Sequence, residues 1–452
     1  LPLVAWLKAS QMHTELAPHL ASTTAGIEAA KLLAQCVHCG FCGATCPTYQ
    51  LLGDELDSPR GRIYLIKQMA EGSAPTEKTR LHLDRCLTCL SCETTCPSGV
   101  QYGNLLDIGR QWAETETPPR PFKERVTRWL LREVLTRPWL FNSAINLGRI
   151  FRPLMPLELK RKIPALKSPL DQFGISQQID PHARPITQPL RHARTMLVLE
   201  GCVQPAMLPN INSATARVLD AVGINLVSAT KAGCCGALRH HLNHQEGGLA
   251  DARRNIDAWW PYVMGLEPSL NGKPIEAIVM TASGCGAMVS DYGHLLRGDP
   301  QYADKAKTIS KLCKDLSEVL PAFAPQLEGL IGSDKKPGVV YHPPCTLQHG
   351  QQIRLNIERL LSSLGVQVAL CADSHLCCGS AGTYSILQPE LSAQLRQQKL
   401  VNLNTACAES GAKVIVSANV GCITHLQQES NPVVHWVEIV DQLIQAKNSS
   451  RQ

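Results

Sequence analysis

By type and by spacing, cysteine is the residue in this chain that could do chemistry. Residues 36–47 read CVHCGFCGATCP and residues 86–97 read CLTCLSCETTCP, so Cys-x2-Cys-x2-Cys-x3-Cys-Pro occurs twice. Two residues between thiolates let a turn of backbone wrap one corner of an iron-sulfur cube, and soft sulfur suits iron. In such runs three close cysteines grip one 4Fe-4S cube and the fourth reaches the neighbouring one. The pattern assigns Cys36, Cys39, Cys42 and Cys96 to one cluster, and Cys86, Cys89, Cys92 and Cys46 to the other. Proline after the fourth cysteine keeps the chain from folding back over that sulfur. Paired Cys-x2-Cys units also serve zinc and redox dithiols. A zinc site closes with four ligands, whereas each run here supplies a third close cysteine and a fourth before proline.

Eight more cysteines recur with equal regularity. Thirty-one residues separate Cys202 from the Cys234-Cys235-Gly236 step, and the same 31 separate Cys345 from Cys377-Cys378-Gly379. Each half then closes with a glycine-cysteine step, Gly284-Cys285 and Gly421-Cys422. Equal spacing marks an internal duplication. Adjacent thiols suit a metal cluster or redox chemistry better than packing, so Cys202, Cys234, Cys235, Cys285, Cys345, Cys377, Cys378 and Cys422 are candidate metal ligands. The alternative is that they pack as small hydrophobes. Cys313, Cys371 and Cys407 stand alone and read as core residues.

No catalytic constellation accompanies them. No strand leads into a Gly-x-Gly-x-x-Gly fingerprint of the kind that holds a dinucleotide cofactor. Gly379, Ser380 and Gly382 follow a cysteine pair and do not form it. His240, His241 and His244, beside Arg239 and Asn243, read as a polar surface rather than a metal site. No catalytic residue is assigned.

The elements that must position these cysteines differ along the chain. Residues 1–26 read as an extension, in which LPLVAWLKASQ precedes Met12, the expected start of translation. Residues 27–110 read as an α-helical ferredoxin-like domain. A helix from Ile27 to Gln35, entered through Ser22, Thr23 and Thr24, delivers the first run. A second starts at Pro59 and ends near Gly72, with Ile63, Ile66, Lys67 and Ala70 at helical spacing. Arg60 and Arg62 are placed to offset cluster charge, although a solvated face is the commoner fate of arginine.

Residues 111–190 form a basic helical and linker region. From 110 to 167 there are 13 Lys and Arg against 5 Asp and Glu, with Phe122, Val126, Trp129, Leu130 and Val134 on one helical face. Such a stretch can lie on an anionic membrane surface, dock on a partner, or pack on its own chain. The segment from Pro164 to Pro189 reads as a connection. Beyond it, residues 191–335 and 336–452 read as two duplicated βα domains. MLVL, INLV and AIVM in the first, and GVVY, VQVAL and KVIVSA in the second, are short apolar runs alternating with helical segments. Ligand sites gather beyond the carboxyl ends of parallel strands, so each cysteine quartet should converge there. The expected fold is α/β with an N-terminal helical domain.

The 452 residues suffice for two or three cores. A net charge of +6 is too mild to argue for nucleic acid. With no secretory signal ahead of them, 19 cysteines point to a reducing, cytoplasmic compartment. No apolar run reaches the ~18 residues needed to span a bilayer.

The segments CVHCGFCGATCPTYQLLGDELDSPRGRIYLIKQ, HLDRCLTCLSCETTCPSGVQYGNLLDIGR, NIDAWWP, TASGCGA, CTLQH and DSHLCCGSAGTY resemble the glycolate oxidase iron-sulfur subunit family. The same layout is found in glycerol-3-phosphate dehydrogenase and heterodisulfide reductase subunits. The resemblance covers the chain from about residue 30 onward. It implies two 4Fe-4S clusters, with FAD on a partner subunit that oxidises glycolate to glyoxylate, and quinone as the downstream acceptor. It also implies peripheral association at the inner face of the cytoplasmic membrane. Equivalent subunits for D-lactate or glycerol 3-phosphate, a thiol/disulfide catalyst and a zinc-stabilised interaction protein are the alternatives. In the heterodisulfide reductase type the Cys-Cys-Gly domain ends in Cys-x2-Cys; here Met288 and His425 hold the last position, leaving four cysteines per half where a noncubane cluster uses five.

Overall fold

Capping side chains start the helices that carry the first cysteine run. Thr23 accepts a hydrogen bond from the Gly26 amide and opens the helix Thr24–Ala34. Ser58 accepts from Gly61 and, with Pro59 in the first turn, opens Pro59–Ala70. The computed structural model describes residues 12–152, 190–270, 272–332, 336–428 and 430–449. The opening LPLVAWLKASQ and the connection from Pro164 to Pro189 lie outside them. Contacts divide the chain into two units, one running to Val126 and including His375–Leu395, the other comprising Thr127–Ser374 and the chain from Arg396.

The first unit is helical. Glu77–Asp84 and Tyr102–Glu116 join the two helices above around Leu33, Ile66, Leu83, Leu105 and Leu106, all fully buried. Ile63, Ile66 and Ala70 face this core as their spacing predicts, while Lys67 reaches outward to Glu71. Gly109 lets two helices close on each other, because a Cβ there would stand 2.5 Å from Ile66 Cγ1.

The second unit carries two four-stranded parallel sheets. Strands β1 (Arg194–Val198), β2 (Ile224–Ser228), β3 (Ile278–Met280) and β4 (Cys313–Asp315) lie in the order β2-β1-β3-β4. Strands β5 (Gly338–His342), β6 (Gln367–Leu370), β7 (Val414–Ser417) and β8 (Val433–His435) repeat it as β6-β5-β7-β8. The six strands expected from sequence are present, and β4 and β8 are additional. Parallel neighbours need crossover helices, so every strand ends at the same edge of its sheet.

The two halves meet at that edge. Ser283 donates its amide to Ala418 O at 3.1 Å, and its hydroxyl lies 2.7 Å from Thr346 Oγ1. Among the described residues of the basic region, Phe122–Val134 and Pro138–Phe151 are helices. Phe141 and Ile145 of the latter are buried against Ala206. Cys313, Cys371 and Cys407 are core residues. The histidine cluster departs from its expected surface position, since the short helix Ala237–His241 turns His240 inward to 7% exposure while His241 stays exposed.

Candidate metal centres

Both cysteine runs adopt one backbone shape. His38 and Thr88, two residues after the first cysteine of each run, have φ of 53° and 54°; Gly40 and Leu90, two further on, have 84° and 59°. Left-handed non-glycine residues are strained and are found where function requires the geometry. Here the turn aims an amide back at sulfur. Thr88 N donates to Cys86 Sγ at 3.4 Å, and His38 N donates to Cys36.

Two cavities follow. The first, with about 430 Å³ of space partly open to solvent, is lined by Cys36, Cys39, Cys42 and Cys96. The second, with about 310 Å³, is lined by Cys46, Cys86, Cys89 and Cys92. These are the two crossed sets that the spacing assigns. Pro59, Cys92 and Tyr102 border both cavities, so a single layer of side chains separates them.

The donor set fits iron-sulfur cubes better than zinc. Among the described residues, no three of these thiols lie within 4.8 Å of one another. Thiolates 2.3 Å from a tetrahedral zinc ion would stand only about 3.8 Å apart. The wider arrangement leaves room for a polynuclear core. Burial pushes the Cys42 thiol up to about 11 and Cys92 well above its ordinary value, so loading either site releases protons.

Arg62 and Arg60 part company. Arg62 is fully buried; its guanidinium donates to His82 O at 2.7 Å, Thr48 Oγ1 at 3.1 Å and Asp57 Oδ1 at 3.1 Å, and lies 3.9 Å from Cys46 Sγ. Arg60 stays at the surface, paired with Glu55 at 2.7 Å. Tyr102, which the sequence reading missed, donates its hydroxyl to Cys86 Sγ at 3.7 Å. It has no spacing relationship to the cysteines; only the helix Tyr102–Glu116 brings it there.

In the second unit, β1, β2 and β3 end before Cys202, Cys234-Cys235 and Cys285, and the structure brings all four together. Hydrogen bonds link Cys202 to Cys234, Cys234 to Cys235 and Cys235 to Cys285. The bond to Cys234, then burial, raise the Cys202 thiol well above its ordinary value. Asn255 Nδ2 donates to Cys234 O at 2.8 Å and Tyr292 OH to Cys235 O at 2.7 Å, fixing the adjacent pair. Gly236 follows at φ 94°, where a Cβ would meet Gly248 O at 2.6 Å. Met288 is buried in the core of this half. The second quartet divides between the units, Cys345 and Cys422 in the second and Cys377 and Cys378 in the first.

Comparison with known proteins matches the same two parts of the chain. The family described as 4Fe-4S dicluster domain matches residues 32–100, and Cysteine-rich domain matches residues 196–290 and 339–427. The glycolate oxidase iron-sulfur subunit of Escherichia coli strain K12 is 49% identical over 435 residues, covering 96% of this chain and 100% of that protein. The chain belongs to the glycolate oxidase iron-sulfur subunit family. A probable glycolate oxidase iron-sulfur subunit of Bacillus subtilis strain 168 is 29% identical, covering 92% of this chain and 94% of its own. Lactate utilization protein A of an Exiguobacterium species is 23% identical over 53% of this chain and 94% of its own. The mixed α/β fold is that expected from the apolar runs, and the iron-sulfur chemistry of this family is that expected from the cysteine pattern. The dicluster match also contains all eight cysteines of the two cavities.

Proposed function

We propose that this chain is the electron-carrying subunit of a glycolate-oxidising complex, in which a separate FAD subunit converts glycolate to glyoxylate and quinone receives the electrons. The observation that supports it best is the adjoining pair of four-cysteine cavities, set in a member of a family whose relative is named glycolate oxidase iron-sulfur subunit. Bound iron-sulfur clusters supply one-electron transfer, which lets a flavin's electron pair leave in single steps. Cys36, Cys39, Cys42 and Cys96 would hold one cluster, and Cys46, Cys86, Cys89 and Cys92 the other. The protein shapes the path: Cys39 is exposed while Cys92 is buried in the wall both cavities share. The quartet of Cys202, Cys234, Cys235 and Cys285 would hold a further metal centre.

Peripheral contact with the inner face of the cytoplasmic membrane completes this reading. Among the described residues, no helix is long and apolar enough to cross a membrane. The helix Pro138–Phe151 buries Phe141 and Ile145 on one side and exposes Trp139, Leu147 and Ile150 on the other, within the basic region of the chain. Such a face suits an anionic lipid surface.

Anaerobic copurification with the flavin subunit tests the proposal. Brown protein with about eight irons per chain from the two cubanes is expected, with more if the Cys-Cys-Gly sites load. Glycolate should bleach the clusters and reduce added quinone. Bleaching by D-lactate or glycerol 3-phosphate but not glycolate would reassign the substrate, and colourless protein holding zinc would end the relay reading.

A further inference from the structure

The two cavities offer their thiolates different surroundings. At the first, Cys36 and Cys42 accept from the backbone amides of His38 and Arg60, and among the described residues no side chain donates to any of its four sulfurs. Its nearby cation, Arg60, lines the cavity half-exposed to solvent and is paired with Glu55 at 2.7 Å. At the second, Tyr102, 3% exposed, donates its hydroxyl to Cys86 Sγ at 3.7 Å. Thr48 Oγ1 lies 3.3 Å from Cys46 Sγ, and the buried guanidinium of Arg62 lies 3.9 Å from the same sulfur.

We propose that Tyr102 and Arg62 set the reduction potential of the second site above that of the first, so that an electron shared between them rests on the second. The inference rests on the reading that both cavities hold clusters. Adding an electron places negative charge partly on the ligand sulfurs, and a hydrogen bond or a buried cation stabilises the more negative state more than the less negative one. Water screens Arg60 at the surface and does not reach Arg62.

Burial alone works in the opposite direction, because a dry site penalises added negative charge. Charge bookkeeping decides between the two effects. Asp57 is the counter-ion of Arg62, but it is also paired with Arg85 at 2.9 Å. Two guanidinium groups share one carboxylate, so the group keeps a net positive charge beside the second cavity. The transfer this favours moves one electron from the site of Cys36, Cys39, Cys42 and Cys96, which is oxidised, to that of Cys46, Cys86, Cys89 and Cys92, which is reduced. No bond is made or broken. The reduced flavin of the partner subunit is the source and quinone the final acceptor.

Tyr102 stands in the shared wall yet donates to one set of thiolates, which makes it the cleaner probe. Tyr102→Phe keeps the ring and its packing and removes the donor. Full-length protein is purified anaerobically, analysed for iron and sulfide, and titrated by electron paramagnetic resonance, with Cys89→Ser identifying the signal of the second site. About eight irons in Tyr102→Phe show that both sites still load, which tests the cluster reading separately. The expected result is a reduced-to-oxidised ratio roughly tenfold lower at the second site at fixed potential, a shift of 59 mV for one electron, with the first site unmoved. Arg62→Gln should shift the same signal the same way; if it fails to load both clusters, Tyr102→Phe decides alone. An unmoved second signal in Tyr102→Phe, an equal shift of both, or a wild-type first site more positive than the second overturns the proposal.

Discussion

The Tyr384 hydroxyl donates to the Arg85 carbonyl at 3.1 Å, which ties the segment after the second Cys-Cys-Gly step to the peptide leading into Cys86. Both belong to the first unit, and the intervening 298 residues make this a long-range tie. From behind, Ser392 Oγ donates to Gly379 O at 2.8 Å, so the turn carrying Cys377 and Cys378 is held on both sides. Tyr384→Phe should cost about 1 kcal/mol, the ordinary net value of a hydrogen bond. It should also speed amide exchange within residues 375–395 more than elsewhere. Exchange mapped by mass spectrometry checks this, and unchanged protection there would mean that the contact does not hold the segment.

Removing one ligand should remove one cluster. Cys89 is buried in the second cavity, and Cys89→Ser leaves three thiolates there while the first cavity keeps four. Iron should fall from about eight to about four per chain, with one paramagnetic signal lost. The first unit should melt at a lower temperature, because cluster binding and folding are coupled. Glycolate-driven quinone reduction that continued at the wild-type rate would rule out a relay through this site.

The ligands were legible because their type and spacing are written into the chain itself. What surrounds them was legible only in part: Arg60 and Arg62 were placed beside the clusters and line the two cavities, but the burial of Arg62 and the reach of Tyr102 were not. Tyr102 reaches Cys86 only because its helix packs on Ile66 through Gly109, a contact no local pattern encodes. Arginine usually stays in solvent, and Arg62 is buried because Asp57, five residues earlier, meets its guanidinium as the helix begins. The strands β4 and β8 went unseen because three residues are too few to show a period. The duplication, by contrast, was readable from equal cysteine intervals, and it returns as identical strand order in two sheets.

The halves of the second unit are joined by a two-pronged ion pair. Arg217 Nε and Nη2 meet Asp441 at 3.0 and 2.7 Å, and Asp441 is buried. Arg217→Ala leaves that carboxylate with Gln445 Nε2 at 3.0 Å as a side-chain donor. Because Arg217 is about one-third exposed, the expected cost is about 1–3 kcal/mol rather than that of a fully buried pair. A melting temperature lower by a few degrees should follow, and the double variant with Asp441→Ala should lose less than the two single losses added. Strict additivity would show that the pair is not coupled.

Acid should weaken the same unit through two histidines. Burial holds His342 and His435 at about 3, far below their ordinary 6.5, so the fold favours their neutral forms. In its neutral form His435 donates from Nε2 to Thr281 O at 2.9 Å and accepts the Val437 amide at Nδ1 at 3.2 Å; protonation would set N–H against N–H. A depressed folded value means that this stability is complete above 6.5 and is lost as pH falls toward 3, by up to about 1.4 kcal/mol per pH unit for each histidine. Asp315 acts in the opposite sense: burial raises its carboxyl to about 6, so its contribution grows as pH falls from 6 toward 3.8. Two histidines against one carboxylate leave a net loss of stability in that window. His435→Gln keeps a donor for Thr281 and removes one titration, so its unfolding free energy, measured by denaturant melts from pH 7 to pH 4, should fall less steeply than that of the wild type. Parallel curves would show that His435 takes up no proton on unfolding in this range.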